Sequence, residues 1–258
     1  MQLSPEKLLF FLTAQICALL SFCLPAPAEV PGSPKRIVCR AELSRERREE
    51  LSAELRKISG WPDLTFDNAG SLQIGRDAPT GGSQTARELL RNALVGNQVM
   101  VIEDASNRTD VVFADVLPGS WNNGRATKLP VFVVRIDFAD FGHLIGDRAA
   151  LAAFNPAWAL LHELDHVIND AADPDTIGEA GECESLINQM RRECGLPERA
   201  EYYFTPFPES GRSEFATRLV RLAFDSATKN AKHRRYWVIW DAALVGGRDP
   251  AKQTASLR

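Results

Sequence analysis

The stretch after Asn155-Pro156 constrains this chain more than any other. Asn is a favoured helix cap and Pro fits a first helical turn, so a helix is expected to start here and run to about Asp170. On a helical wheel Ala157, Leu160, Leu161, Leu164, Val167 and Ile168 share one side, and His162 and His166 fall nearly opposite. Such a helix has to pack its apolar face into a core and turn its histidines toward a cleft.

Those histidines belong to His162-Glu163-Leu164-Asp165-His166. At i and i+4 the two imidazoles lie one turn apart on one face and can reach a single ion. Glu163 projects beside them, placed to act on a metal-bound water without being a ligand. This is the His-Glu-x-x-His arrangement of zinc peptidases, a pattern that chance supplies in roughly one chain in a hundred of this length. The expected cofactor is Zn2+, with His162 and His166 as ligands and Glu163 as the catalytic general base.

A catalytic zinc takes a third protein ligand. Neither His143 nor His233 has suitable spacing, and the residues after His166 contain no Gly-x-x-His. A second helix, expected over about Thr176–Cys194, offers Glu179, Glu182 and Glu184, with an apolar stripe of Cys183, Leu186, Ile187, Met190 and Cys194. At 100° per residue Glu179 lies about 36° from the stripe's centre, and the other two lie nearly 100° away on opposite flanks. Glu179 is therefore preferred as third ligand and Glu182 is second. Thr176-Ile177-Gly178-Glu179 is also a capping-box pattern that would use Glu179 structurally.

Composition narrows the setting. With 45% hydrophobic and 25% charged residues the chain can build a core, and a net charge of −4 supplies no field for a nucleic-acid partner. Leu8–Leu24 is an uncharged apolar run followed by Pro25-Ala26-Pro27-Ala28, a small-x-small cleavage pattern. Residues 1–28 are read as a signal peptide and 29–258 as one domain with a flexible leader over 29–40. An uncleaved anchor is the rival reading. Export, to a periplasmic or extracellular site with no stable membrane association after cleavage, permits disulfides. Cys183 and Cys194 would lie about 16 Å apart along one helix, too far to bond; a Cys39–Cys194 pair, with Cys183 a small buried hydrophobe, is one expectation and three free thiols are the other.

Elsewhere Ser44 and Ser83 should cap helices over Arg45–Ile58 and up to about Val95. Asp67-Asn68-Ala69-Gly70 joins a short hairpin, and strands are expected at Val99–Glu103, Val111–Val116 and Val131–Phe138, the last a possible edge strand for an extended substrate. The segment Gly119–Gly124 reads as loop. Glu214–Phe224 and Arg235–Val245 form a C-terminal β-hairpin whose Tyr236, Trp237 and Trp240 fit burial of one sheet face. One α+β domain with a mixed or antiparallel sheet is the economical architecture.

The run Asn155-Pro156-Ala157-Trp158-Ala159-Leu160-Leu161-His162-Glu163-Leu164-Asp165-His166 resembles the active-site helix of effector-type zincins. That group includes NleD-like secreted effector endopeptidases and the tail domains of some Rhs-repeat proteins. The later run from Glu182 to Arg199, where Asn188-Gln189-Met190-Arg191 leads into Gly195-Leu196-Pro197, looks like a second segment of such proteins. The resemblance covers about a fifth of the chain. It implies a zincin-like fold, one zinc and hydrolysis of a peptide or protein substrate, with His162 and His166 as ligands, Glu163 as base and a downstream Glu as third ligand. Asp165 and Val167 depart from the group, as does the signal peptide.

Two other functions use the same residues: a zinc amidase acting on cell-wall peptide, and a non-catalytic, zinc-stabilised envelope binding protein. Tyr202 or Tyr203 could support an oxyanion, with aromatic packing the plainer role, and Asn169 could orient a ligand.

Overall fold

Capping chemistry sets the helix boundaries. Ser44 Oγ accepts from the Arg47 amide, Ser83 Oγ from Ala86, and Asn155 Oδ1 from Ala157 and Trp158, so these three helices start where a short polar side chain can satisfy their first amides. The computed structural model describes residues 36–106, 108–120, 128–206, 218–226 and 233–246. The segment 1–28, most of the leader, the 121–124 part of the expected loop and the start of the first C-terminal strand lie outside the described residues.

In chain order the elements are β1 (Ile37–Cys39), α1 (Arg45–Ser59), β2 (Thr65–Phe66), β3 (Leu72–Gln73), α2 (Gln84–Val95), β4 (Val99–Asp104), β5 (Ala114–Pro118), β6 (Val131–Ile136) and α3 (Phe138–Gly142). There follow β7 (Ile145–Gly146), α4 (Arg148–Ala152), α5 (Pro156–Asn169), α6 (Gly181–Glu193), β8 (Glu198–Arg199), β9 (Thr205–Pro206), β10 (Leu219–Ser226) and β11 (Arg234–Asp241). The result is a mixed α+β arrangement with several sheets and six helices among the described residues.

The first sheet has the order β1-β4-β6-β5, with β1, β4 and β6 parallel and β5 antiparallel at the edge. Val99–Ile102 of β4 are buried on both faces, as expected for a central parallel strand. Met100, Ile102, Val134 and Ile136 meet the helices, including Ala157, Leu160, Leu161 and Leu164 of α5, while Val99, Val101 and Val133 form a smaller cluster on the other face. The apolar stripe of α5 is therefore in the core.

The second sheet, β7-β11-β10-β8 with β9 also on β10, is built around the expected C-terminal hairpin, in which Leu219 pairs with Asp241 and Ser226 with Arg234. Trp240 and Val238 are buried in a cluster with Phe113, Phe154 and Phe224. Phe113 packs at 5.0 Å from Phe154 and 5.2 Å from Trp240 between ring centroids.

Four expectations change. The strand expected at Val111–Val116 begins only at Ala114, because Phe113 takes φ 62°, a left-handed conformation that interrupts extension. The edges of the first sheet are β1 and β5, and the Val131–Phe138 strand is not one of them: it lies between β4 and β5 as β6. The second helix starts at Gly181 and not Thr176, because Gly178 (φ 92°) and Gly181 (φ 80°) hold the preceding residues out of helical geometry. Cys39, Cys183 and Cys194 are all free, so the expected Cys39–Cys194 bridge is absent. Burial pushes the Cys39 thiol up to about 12 and the Cys194 thiol up to about 11.

Candidate metal centre

The centre is assembled where α5 ends. Asp170 takes the left-handed conformation at the helix C-cap, at φ 55°, and turns the chain back along the helix. This return brings the Ala171 carbonyl to 2.7 Å from His166 Nδ1 and Asp173 to the histidine pair. Gly181 lets the return pass close by: a Cβ there would meet Pro174 Cδ at 2.5 Å.

Asp173 Oδ1 lies 3.1 Å from His162 Nε2 and 3.5 Å from His166 Nε2. The two rings stand nearly perpendicular, with centroids 4.7 Å apart. A carbonyl can only accept, so His166 Nδ1 must carry a proton, and a neutral His166 then presents its Nε2 lone pair to the Asp173 carboxylate. Lone pair against lone pair is unfavourable unless a proton or a metal cation lies between them. Metal–ligand distances of about 2.0–2.1 Å in a tetrahedron give ligand–ligand edges of about 3.3 Å, which the two observed separations bracket.

Behind His162 lies Cys183, its Sγ 3.2 Å from His162 Nδ1 and 3.3 Å from the His162 carbonyl oxygen, and beyond it Glu184 Oε2 at 3.6 Å from Nδ1. His162, His166 and Cys183 form a group that could hold a metal ion, with one ligand atom from each lying within 4.8 Å of the others. The sulfur, however, meets Nδ1, on the other side of the ring from the Nε2 that faces Asp173. A cation shared with Asp173 leaves Cys183 as a contact that holds the His162 ring. Burial, followed by the charges of Asp165 and Glu184, pushes the Cys183 thiol upward, which keeps it protonated.

Electrostatics separate the carboxylates. Burial works against ionisation of Asp173, but hydrogen bonds from His162 and Tyr202 outweigh it and hold its carboxyl below the ordinary range. The Tyr202 hydroxyl donates to Asp173 Oδ2 at 2.6 Å, and its ring stacks on His162 at 5.9 Å. Glu163 has no such support: burial, then the charges of Asp173 and Asp115, push it up to about 8. Glu184 is also fully enclosed, yet Arg191 and Arg199 overcome the burial cost and hold it at about 2.

His162 and Glu163 open into a pocket of about 90 Å³ with walls from Phe113, Ala114, Phe154, Trp158 and Tyr202. Glu163 is 7% exposed and lies within this pocket. Glu179 and Glu182 are both exposed, and neither is brought to an imidazole nitrogen; the carboxylates that reach the pair are Asp173 and Glu184. The wheel placed Glu179 on an inward face of a helix that begins only after it. Asn169 donates to Asp165 Oδ1 at 2.5 Å, not to a histidine. Tyr203 donates to the Pro174 carbonyl, and His143 and His233 are exposed. Asp173-Pro174-Asp175 reads in sequence only as a break; the signal for a ligand there was a carboxylate a short loop beyond the second histidine.

No family model, curated protein or solved structure matches this chain.

Proposed function

We propose that this protein is a zinc-dependent hydrolase of peptide bonds with a zincin-like fold, and that His162 Nε2, His166 Nε2 and Asp173 Oδ1 hold the metal. The observation that carries the reading is the convergence of two imidazole Nε2 atoms on one carboxylate oxygen, beside a buried glutamate that opens into a pocket. Bound there, zinc supplies a Lewis acid and a nucleophile at neutral pH.

The chain's own groups do the rest. Glu163 takes the proton of the attacking water and returns it to the leaving amine, a role suited to a buried carboxyl that lines the pocket beside His162. Cys183 and Glu184 hold the His162 ring from behind, and Tyr202 fixes Asp173. Phe113, Phe154 and Trp158 keep bulk water from the pocket.

Substrate backbone has a place to dock. Among the described residues β5 pairs only with β6, and Ala114 at its start lines the pocket. An extended peptide added along this free edge would run past Glu163. A signal peptide over residues 1–28 would put this activity in the periplasm or outside the cell.

The test is zinc content of the purified protein by elemental analysis, with cleavage of casein or a mixed peptide library read by mass spectrometry. One zinc per chain and chelator-sensitive cleavage are expected. Protein without stoichiometric zinc after metal loading overturns the reading. Zinc without cleavage of these peptides, but with amide hydrolysis in cell-wall peptide, would transfer the same chemistry to an amidase.

A further inference from the structure

The pocket beside Glu163 has a floor unlike its walls. Glu184, Arg191 and Arg199 line it together, with Glu184 1% and Arg191 2% exposed. Arg191 donates from Nε to the Ala153 carbonyl at 2.9 Å and from Nη1 to Glu184 and to Asn188 Oδ1, and its Nη2 makes no hydrogen bond among the described residues. Arg199 donates from Nη1 to Glu184 Oε2 at 3.0 Å, from Nε to the Glu201 carbonyl and from Nη2 to the Tyr202 carbonyl. Aromatic rings flank both guanidinium groups: Arg191 lies 5.3 Å from Trp158, and Arg199 lies 4.8 Å from Tyr202 and 5.6 Å from Phe154.

One carboxylate thus faces two arginines. Each Glu184 oxygen takes one of them, which leaves Arg191 Nη2 as a donor on a residue that lines the pocket. Glu184 bridges both guanidinium groups. Their planar donors are held by the flanking rings, the arrangement that suits a carboxylate.

We propose that this pocket is a subsite for a substrate carboxylate, held by Arg199 and the open Nη2 of Arg191, next to the bond that Glu163 cleaves. The inference deepens the hydrolase reading and rests on it for the position of the scissile bond. About 90 Å³ accommodates a carboxymethyl or carboxyethyl group and little more. The carboxylate can belong to an acidic side chain flanking the scissile bond or to a free chain end.

Two measurements on the full chain test it. In the metal-free protein, glutarate and its uncharged diamide glutaramide are titrated while the Trp158 indole NMR resonance is followed, assigned through a Trp158→Phe control. Glutarate should shift it and glutaramide should not, and Arg199→Gln should weaken glutarate binding at least about tenfold, the loss of one charged hydrogen-bonded contact. Arg199→Lys, which keeps the charge and loses the fork, should bind between the two. If Arg199→Gln fails to fold, the glutarate–glutaramide comparison in the unsubstituted protein still decides. Equal response to the two probes, or none to either, overturns the subsite.

In the zinc-loaded protein, peptide pairs differing by Glu against Gln, each with amidated and free C-termini, are compared by kcat/KM. A preference for Glu in the amidated pair assigns the pocket to a side chain, and a preference for the free end assigns it to a terminal carboxylate. Glutarate binding without any peptide cleavage keeps the subsite and removes the peptidase reading. Cleavage with no carboxylate preference in either pair removes the subsite and keeps the peptidase.

Discussion

Asp173 Oδ1 stands 3.1 Å from His162 Nε2, although eleven positions separate the two residues and the helix that carries His162 ends at Asn169. The same oxygen reaches His166, so a loop carboxylate stands where a helical glutamate was expected. Asp173→Ala should therefore lower zinc affinity by at least about tenfold, while Glu179→Ala and Glu182→Ala retain one zinc per chain. Competition with a chromophoric chelator measures all three. Zinc loss in Glu179→Ala, with Asp173→Ala unaffected, would restore the helical ligand.

Glu163→Gln should keep the metal and reduce turnover by about a thousandfold, as expected for removal of a general base. It should also change the metal-free protein. Glu163 takes up its proton near pH 8 when folded and near its ordinary value of about 4.5 when unfolded, so the folded chain binds the extra proton between those values. Metal-free stability should fall as pH rises through that window, and Glu163→Gln should flatten the fall. Denaturant titrations at pH 5 and pH 8.5 compare the two.

Cys183 distinguishes two ways of holding a cation. If Asp173 is the third ligand, cobalt(II)-substituted protein should lack the intense thiolate-to-cobalt charge-transfer absorption in the near ultraviolet, and Cys183→Ala should retain metal with only a modest loss of affinity. A strong charge-transfer band that disappears in Cys183→Ala would make the sulfur a ligand and move the cation to the Nδ1 side of His162.

Gly181 should matter more than its neighbour Gly178. Both have positive φ, but a Cβ on Gly181 meets Pro174 Cδ at 2.5 Å and Pro174 N at 2.9 Å, whereas one on Gly178 meets nothing within 4 Å. Gly178→Ala should cost about 1 kcal/mol, the backbone strain alone. Gly181→Ala should cost more and also weaken zinc binding, since it displaces the segment that carries Asp173. Thermal melts with and without zinc report both effects.

Asp140 pins one wall of the pocket by accepting from the amides of Phe113 and Gly246, each at 3.0 Å. Burial pushes its carboxyl up to about 6 against the pull of those two hydrogen bonds. The folded state therefore binds a proton that the unfolded state has already lost between about pH 4 and pH 6, and this group's contribution to stability declines as pH rises through that range. Asp140→Asn should remove that slope, and Asp140→Ala should cost about 2–4 kcal/mol by stranding two buried amides. Urea unfolding across pH 4–7 measures both.

The sequence alone determined the local elements that satisfy themselves. Ser44, Ser83 and Asn155 cap the helices that follow them, and the alternation around Trp240 marks a strand with one buried face. It also placed His162, Glu163 and His166 on one α-helix, because their spacing and the apolar stripe of that helix share one period. The third carboxylate was not legible in this way. It depends on a left-handed turn at Asp170 and on the close passage of Pro174 by Gly181, contacts between segments that no periodicity records. The pairing of Glu184 with both Arg191 and Arg199 likewise needed the turn after α6 to bring Arg199 back against that helix. A helix repeats its geometry along the chain, so spacing reveals it; a site closed by loops is fixed by which surfaces pack together, and only the tertiary structure decides that.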